Sequence, residues 1–148
     1  MSTGAPAHTA TVEPRSIIEA VYDDAVHGET LDWLGAGQRR KYLSKSLSAL
    51  WAKSDAKKPP YGDSGPIDFD ITADTNGAEL RTFVITVPKQ TANRASVSVQ
   101  LGYSVPSPEG QHVVIYDFRR ENGRWKVDEI RTKIWSVRTL LSNWLNQR

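Results

Sequence analysis

Residues 113–130 read VVIYDFRRENGRWKVDEI, and this stretch decides the fold. Two apolar runs flank the short segment Glu121-Asn122-Gly123. Asn-Gly is the residue pair that most readily supplies the two positive φ angles of a tight β-hairpin turn. The stretch therefore predicts two antiparallel strands, joined at Asn122-Gly123, in the middle of a β-sheet.

The second strand of this hairpin has an apolar face that is interrupted near its end. Trp125 and Val127 alternate with polar residues, so their side chains share one face of the strand. Ile130 falls out of that alternation, which is what one extra residue in a strand produces. We therefore expect a β-bulge at Asp128-Glu129, which changes the face of the sheet to which the following side chains point.

Outward from the hairpin, hydrophobic periodicity predicts an α+β domain. Helical spacing of apolar residues marks helices at 14–28, 38–56 and 136–146. Alternating spacing marks the four strands of a curved antiparallel meander at 80–87, 95–103, 112–119 and 124–133. Each helix has one apolar stripe, so the N-terminal helices must cover one face of the sheet, and the C-terminal helix closes the domain. A short turn at 30–34 is expected to bury Trp33 and Leu34.

The composition is that of an ordinary globular chain. Its 148 residues are 39% hydrophobic and 24% charged, which predicts a single domain at 14–148. Residues 1–13 are small and polar, and we interpret them as a disordered lead or as a linker left after removal of a signal peptide. Cysteine is absent, which excludes disulfides and thiolate nucleophiles. No run approaches the roughly 18 apolar residues of a membrane span.

Charge is distributed unevenly, although the net charge is only +2. Residues 1–37 carry six acids and one base, a net of −5, whereas residues 38–58 carry seven bases and one acid, a net of +6. Such alternation usually reflects complementary solvated faces. Nucleic-acid binding would need exposed aromatic side chains among the bases, but Tyr42 and Trp51 fall on or beside the apolar stripe. An acidic protein partner fits this segment better than a nucleic acid.

Three segments resemble the nuclear transport factor 2-like superfamily, also called cystatin-like or SnoaL-like. They are Tyr42-Leu43 with Leu47, Leu50 and Trp51; GPIDFD at 65–70; and NGRWKVDEI at 122–130. The resemblance covers residues 14–146 and is strongest to a family of uncharacterised, usually exported bacterial domains of that fold. It implies helices packed into a strongly bent sheet, a partly open apolar cavity, and a periplasmic or secreted protein. A cytoplasmic location is the alternative. Where that family often has a Gln-Asp pair, this chain has Asp74-Thr75-Asn76.

The acidic loop before the first strand is a candidate cation site. Its oxygen-bearing residues follow a calcium-loop register at Asp68, Asp70, Thr72, Asp74, Asn76 and Glu79. However, Ala73 stands where glycine makes the sharp turn of such loops, and no helix pair flanks the segment. We therefore expect no metal here, and we interpret Asp68 and Asp70 as residues that cap turns.

Residues with catalytic chemistry do not form a recognisable set. The histidines fall on three separate segments, at His8, His27 and His112. Enzymes of the superfamily often place Asp, His or Tyr in the cavity, and the candidates here are Tyr22, Asp23, Tyr116 and Asp117. Nothing marks two of them as an acid–base pair, and the chain has neither a glycine-rich phosphate loop nor a Gly-x-Ser-x-Gly motif. We assign no catalytic residue, no metal and no cofactor.

Aromatic residues from several elements are expected to converge in the interior. Most should pack in the core, and a few are candidates for lining a pocket, namely Tyr22, Trp51, Tyr103 and Tyr116, together with Asp117. The resulting hypothesis is a non-catalytic domain that binds an unknown small molecule or protein and is compatible with a homodimer. Two alternatives stay open: a small-molecule isomerase or hydrolase that uses the cavity, and an immunity or anchoring protein that binds a partner through its sheet.

Overall fold

The computed structural model describes residues 12–33, 35–57, 65–106 and 110–147. Its helices are α1 (Pro14–Ala25), α2 (Ala36–Tyr42), α3 (Lys45–Ala56) and α4 (Val137–Asn146). Its strands are β1 (Leu80–Gln90), β2 (Arg94–Tyr103), β3 (His112–Glu121) and β4 (Arg124–Arg131). The α+β class is therefore confirmed. The predicted disordered lead, residues 1–13, lies almost entirely outside the described ranges. Leu34 of the predicted 30–34 turn also lies outside them.

The four strands form one antiparallel sheet in the order β1-β2-β3-β4, which confirms the meander. The turn between β3 and β4 is the one predicted, since φ is +52° at Asn122 and +78° at Gly123. The bulge is also confirmed, because Asp117 pairs with Glu129 while Phe118 pairs with Val127, so that one residue of β4 is extra.

The core lies between the helices and one face of the sheet. Val97, Tyr116 and Ile130 stand side by side across the three strands β2, β3 and β4, and none of them has exposed surface. Helix α1 packs on β1 and β2, whereas α3 and α4 pack on each other and on β4. Each large apolar side chain buried in this way stabilises the fold by about 1.5–3 kcal/mol.

The prediction of a single helix at 38–56 is wrong, because the two extended residues Leu43 and Ser44 separate α2 from α3. Leu43 has φ −95° and ψ 152° and forms a parallel bridge with Val127 of β4. Ser44 donates its backbone N–H to the Val127 carbonyl over 2.8 Å, and its hydroxyl accepts from Leu47 N at the start of α3. The apolar spacing continues through the break. The Leu43 N–H still closes the last turn of α2 by donating to the Arg39 carbonyl over 2.8 Å, but the Ser44 N–H bonds to the sheet.

No helix in the described ranges is both long and apolar enough to span a membrane.

Candidate ligand-binding groove

The loop that precedes β1 is held in one conformation by its own hydrogen bonds. The Asp70 carboxylate accepts from Thr72 N at 3.0 Å and from Ala73 N at 3.2 Å. The backbones of Asp70 and Thr75 also bond to each other in both directions, over 3.0 and 3.3 Å. Asp70 thus caps a turn, as its residue type allows. Asp68, the other acid proposed for this role, is exposed.

Asp74 lies at the end of this turn with a φ of +50°, a left-handed conformation that costs free energy in a residue other than glycine. Its carboxylate joins three separate segments of the chain. One oxygen lies 2.7 Å from Nδ1 of His112 at the start of β3, and the other accepts from the indole N–H of Trp135 at 2.8 Å. The Asp74 and His112 side chains are only 17% and 14% exposed, so this contact is largely shielded from water.

These residues form one side of a groove with a volume of about 580 Å³. Three aromatic side chains, Phe69, Tyr103 and Trp135, line it together with Asp74 and His112. Phe69 meets Trp135 edge to face with ring centres 5.1 Å apart, and Tyr103 meets His112 in the same way at 5.2 Å. The aromatic walls are therefore packed against one another and against the polar pair.

Two large apolar side chains at the groove project into solvent. Val105, after β2, is 70% exposed, and Ile134, between β4 and α4, is 78% exposed. Isolated exposed apolar residues are common, but two on one aromatic groove enlarge the apolar surface open to a ligand.

Two of the pocket-lining candidates from the sequence, Tyr22 and Tyr116, lie in the packed interior with no exposed surface. Their hydroxyl oxygens are 2.8 Å apart, and Tyr22 donates to the backbone carbonyl of Thr72 over 2.5 Å. The Trp33 indole N–H donates to the Thr72 hydroxyl at 2.9 Å. Burial raises the pKa of both tyrosine hydroxyls well above the usual value, so both are neutral hydrogen-bonding groups at physiological pH.

The other three candidates occupy three different environments. Tyr103 lines the groove, and its hydroxyl donates to the carbonyl of Ala73 over 2.6 Å. Trp51 is 1% exposed and borders a smaller cavity of about 200 Å³ that residues 30–33 also line. Asp117 is paired at 2.6 Å with Arg131. Because neighbouring residues of a strand point to opposite sides, Asp117 cannot share the interior with Tyr116.

Asp74, His112 and Trp135 are the residues of the groove that sequence reasoning did not bring together. From the sequence alone, Asp74 is only a member of the acidic loop, and His112 is only the first residue of a strand. In sequence, Asp74 is 38 residues from His112 and 61 from Trp135. Only the antiparallel path of the meander places the start of β3 beside the end of β4. Over the described ranges, no group of three or more His, Asp or Glu side chains is placed to hold a metal ion.

Comparison with known proteins gives no family assignment: no family model matches the sequence, and no curated protein or solved structure is significantly similar to it.

Proposed function

We propose that the protein is a non-catalytic binding domain whose groove takes a small, largely apolar molecule with an aromatic or other flat ring. The observation that carries this proposal is the aromatic groove organised around Asp74. Its volume of about 580 Å³ lies within the roughly 300–1,000 Å³ of typical small-molecule sites. Apolar walls supply the affinity of such sites, and a few fixed polar groups supply their orientation.

The polar groups of the groove are held in place by their own hydrogen bonds, so the binding site is formed before a ligand enters. The Asp74 carboxylate is engaged by both His112 and Trp135, and its loop is closed by the Asp70 turn. A ligand that enters such a groove does not have to order its walls, and less free energy is lost on binding. The left-handed backbone of Asp74 agrees with this interpretation, because strained conformations concentrate at binding sites.

The proposal can be tested with N-phenyl-1-naphthylamine, a neutral apolar dye whose fluorescence rises in an apolar site. Ala78 lines the groove, so Ala78→Trp would fill it without removing any of the side chains described above. Ala92→Trp is the matched control, since Ala92 is also exposed but lies in the β1–β2 turn. We expect saturable dye binding that Ala78→Trp abolishes and Ala92→Trp preserves. No saturable binding, or equal binding by both variants, would contradict the proposal.

An isomerase or hydrolase that uses the same groove is the second candidate. The contact between Asp74 and His112 is the observation that favours it, because a carboxylate on Nδ1 fixes the orientation of a histidine that transfers protons. Mass spectrometry of a ligand recovered from the source organism, before and after incubation with the protein, separates the two candidates. Chemical change that is lost in His112→Gln while binding is kept would assign catalysis.

The fold type and the location belong to the same proposal. The segments 42–51, 65–70 and 122–130 support a nuclear transport factor 2-like domain of a bacterial cell envelope. The order of helices, antiparallel meander and closing helix is compatible with that type. Fractionation of the source cells tests the location: the protein is expected with the periplasmic or secreted proteins, and recovery only with the cytoplasm would contradict it.

A further inference from the structure

A second groove lies at the other end of the sheet, where the β3–β4 turn approaches α2 and α3. It has a volume of about 540 Å³, and its charged lining consists of Arg40, Lys45, Glu121, Arg124 and Lys126. Strand β3 runs from His112 at the aromatic groove to Glu121 here, so about 30 Å separate the two sites. We call this second site the basic groove.

Hydrogen bonds between the hairpin and the helices give the basic groove a defined shape. The Lys126 ammonium donates to the carbonyls of Arg40 and Lys41 at the end of α2, over 3.1 and 2.8 Å. The backbone N–H of Lys45, at the start of α3, donates to the Glu121 carboxylate over 3.1 Å. The two walls of the groove are thus bonded to each other at two places.

The positive charges of the basic groove are not neutralised by Glu121, the acidic residue that lines it. The Glu121 carboxylate already faces the Arg119 guanidinium at 3.5 Å as well as the N–H of Lys45. The side chains of Arg40, Lys45 and Arg124 are exposed and take part in no ion pair within the described parts of the chain. Partial burial, with the charge of Arg124 as a further cause, lowers the pKa of Lys126, as expected where positive charges crowd.

We propose that the basic groove binds the phosphate group of a small phosphorylated molecule. Arginine guanidinium groups bind phosphate oxygens through paired hydrogen bonds, and a lysine adds a point charge. Arg40, Lys45 and Arg124, which form no ion pair among the residues that the structure describes, match the double negative charge of a phosphate ester better than the single charge of a carboxylate. No aromatic side chain is among the described residues that line this groove, so the bases of a single-stranded nucleic acid would have no ring to stack on.

Inorganic pyrophosphate is the probe for this site, titrated into the full chain at low ionic strength and followed by calorimetry. We expect saturable binding of one pyrophosphate per chain. Arg40→Gln and Arg124→Gln should each weaken it roughly tenfold or more, the usual loss for a charge-assisted hydrogen bond. Lys133→Gln is the control, because Lys133 is an exposed cation at the aromatic end of the sheet, and it should change the affinity less than about twofold. Urea midpoints of the three variants report whether each remains folded.

Three results would overturn the assignment. They are the absence of saturable binding, an equal loss in Lys133→Gln, and tighter binding of a glutamate-rich peptide, which would make the groove a surface for an acidic protein. Because N-phenyl-1-naphthylamine is neutral and is assayed at the opposite end of the sheet, failure here leaves the aromatic groove untouched.

Discussion

The buried hydroxyl network of Tyr22, Tyr116 and Thr72 predicts a strongly asymmetric response to the loss of either hydroxyl. Tyr22 donates to the Thr72 carbonyl, so the proton between the two tyrosines must come from Tyr116. Tyr116→Phe therefore removes one donor and leaves the bond from Tyr22 to Thr72 intact. Tyr22→Phe, in contrast, leaves the Thr72 carbonyl without this donor and removes the acceptor of the Tyr116 hydroxyl, which keeps its hydrogen bond with the Thr72 side chain.

The magnitudes follow from what each substitution leaves unpaired. Loss of one net hydrogen bond costs about 1 kcal/mol, and the Tyr116 hydroxyl bonds to both Tyr22 and the Thr72 side chain, so Tyr116→Phe should cost about 1–2 kcal/mol. The Thr72 carbonyl without its donor costs about 1–3 kcal/mol, and the lost bond between the two hydroxyls adds about 1 kcal/mol, so Tyr22→Phe should cost about 2–4 kcal/mol. In the double variant the bond between the two hydroxyls is lost only once, so its cost should be smaller than the sum of the two single costs.

Urea unfolding at neutral pH measures all three free energies, provided that the slopes agree. Tyr42→Phe is the control, because Tyr42 is only partly buried and its hydroxyl makes no hydrogen bond within the described residues; it should shift stability by less than about 0.5 kcal/mol. Equal costs for Tyr22→Phe and Tyr116→Phe, or additive costs in the double variant, would refute the direction of donation deduced here.

Three further predictions concern the core, the helix break and alkaline pH. Trp125→Ala and Tyr116→Ala should each destabilise by roughly 3–5 kcal/mol in urea unfolding, since both side chains are buried; a loss below about 1 kcal/mol would mean that the side chain is exposed. Ser44→Ala should cost about 2 kcal/mol, because the hydroxyl caps α3 and donates to Asp128 at 2.7 Å, and Ser44→Thr should recover part of the loss. The raised pKa of Tyr22 and Tyr116 means that the folded state keeps two protons that the unfolded state releases near pH ~10. The free energy of unfolding should therefore hold below that pH and fall above it. In the double Phe variant, the free energy of unfolding should fall less steeply with pH.

The parts of the fold that the sequence predicts are those set by neighbouring residues. The Asn122-Gly123 turn and the bulge before Ile130 depend on local backbone preferences and on side-chain alternation, and both are present. The break at Leu43-Ser44 could not be predicted in this way. The apolar stripe runs through it, and only the pairing of this segment with Val127, 84 residues from Leu43, ends the helix.

The candidate site was predictable only in part, for a related reason. Strand alternation predicts Tyr103 as a candidate, because an aromatic residue at the end of an inward-facing series borders the core. Tyr116 and Asp117 are both pocket candidates from the sequence, although adjacent strand residues point to opposite sides, so only one of them can face the interior. The contacts of Asp74 with His112 and Trp135 join a loop, a strand start and a second loop. No periodicity encodes such a meeting.

The aromatic groove is the central claim, and the indole N–H signals of the five tryptophans in a ¹⁵N–¹H NMR spectrum test it most directly. Trp135 lines the groove and donates to Asp74, whereas Trp125 and Trp144 are buried and line neither groove. On addition of N-phenyl-1-naphthylamine, we predict a saturable shift of the Trp135 signal while the signals of Trp125 and Trp144 stay in place. A Trp135 signal that does not move while the dye binds elsewhere, or five signals that shift together, would contradict the account.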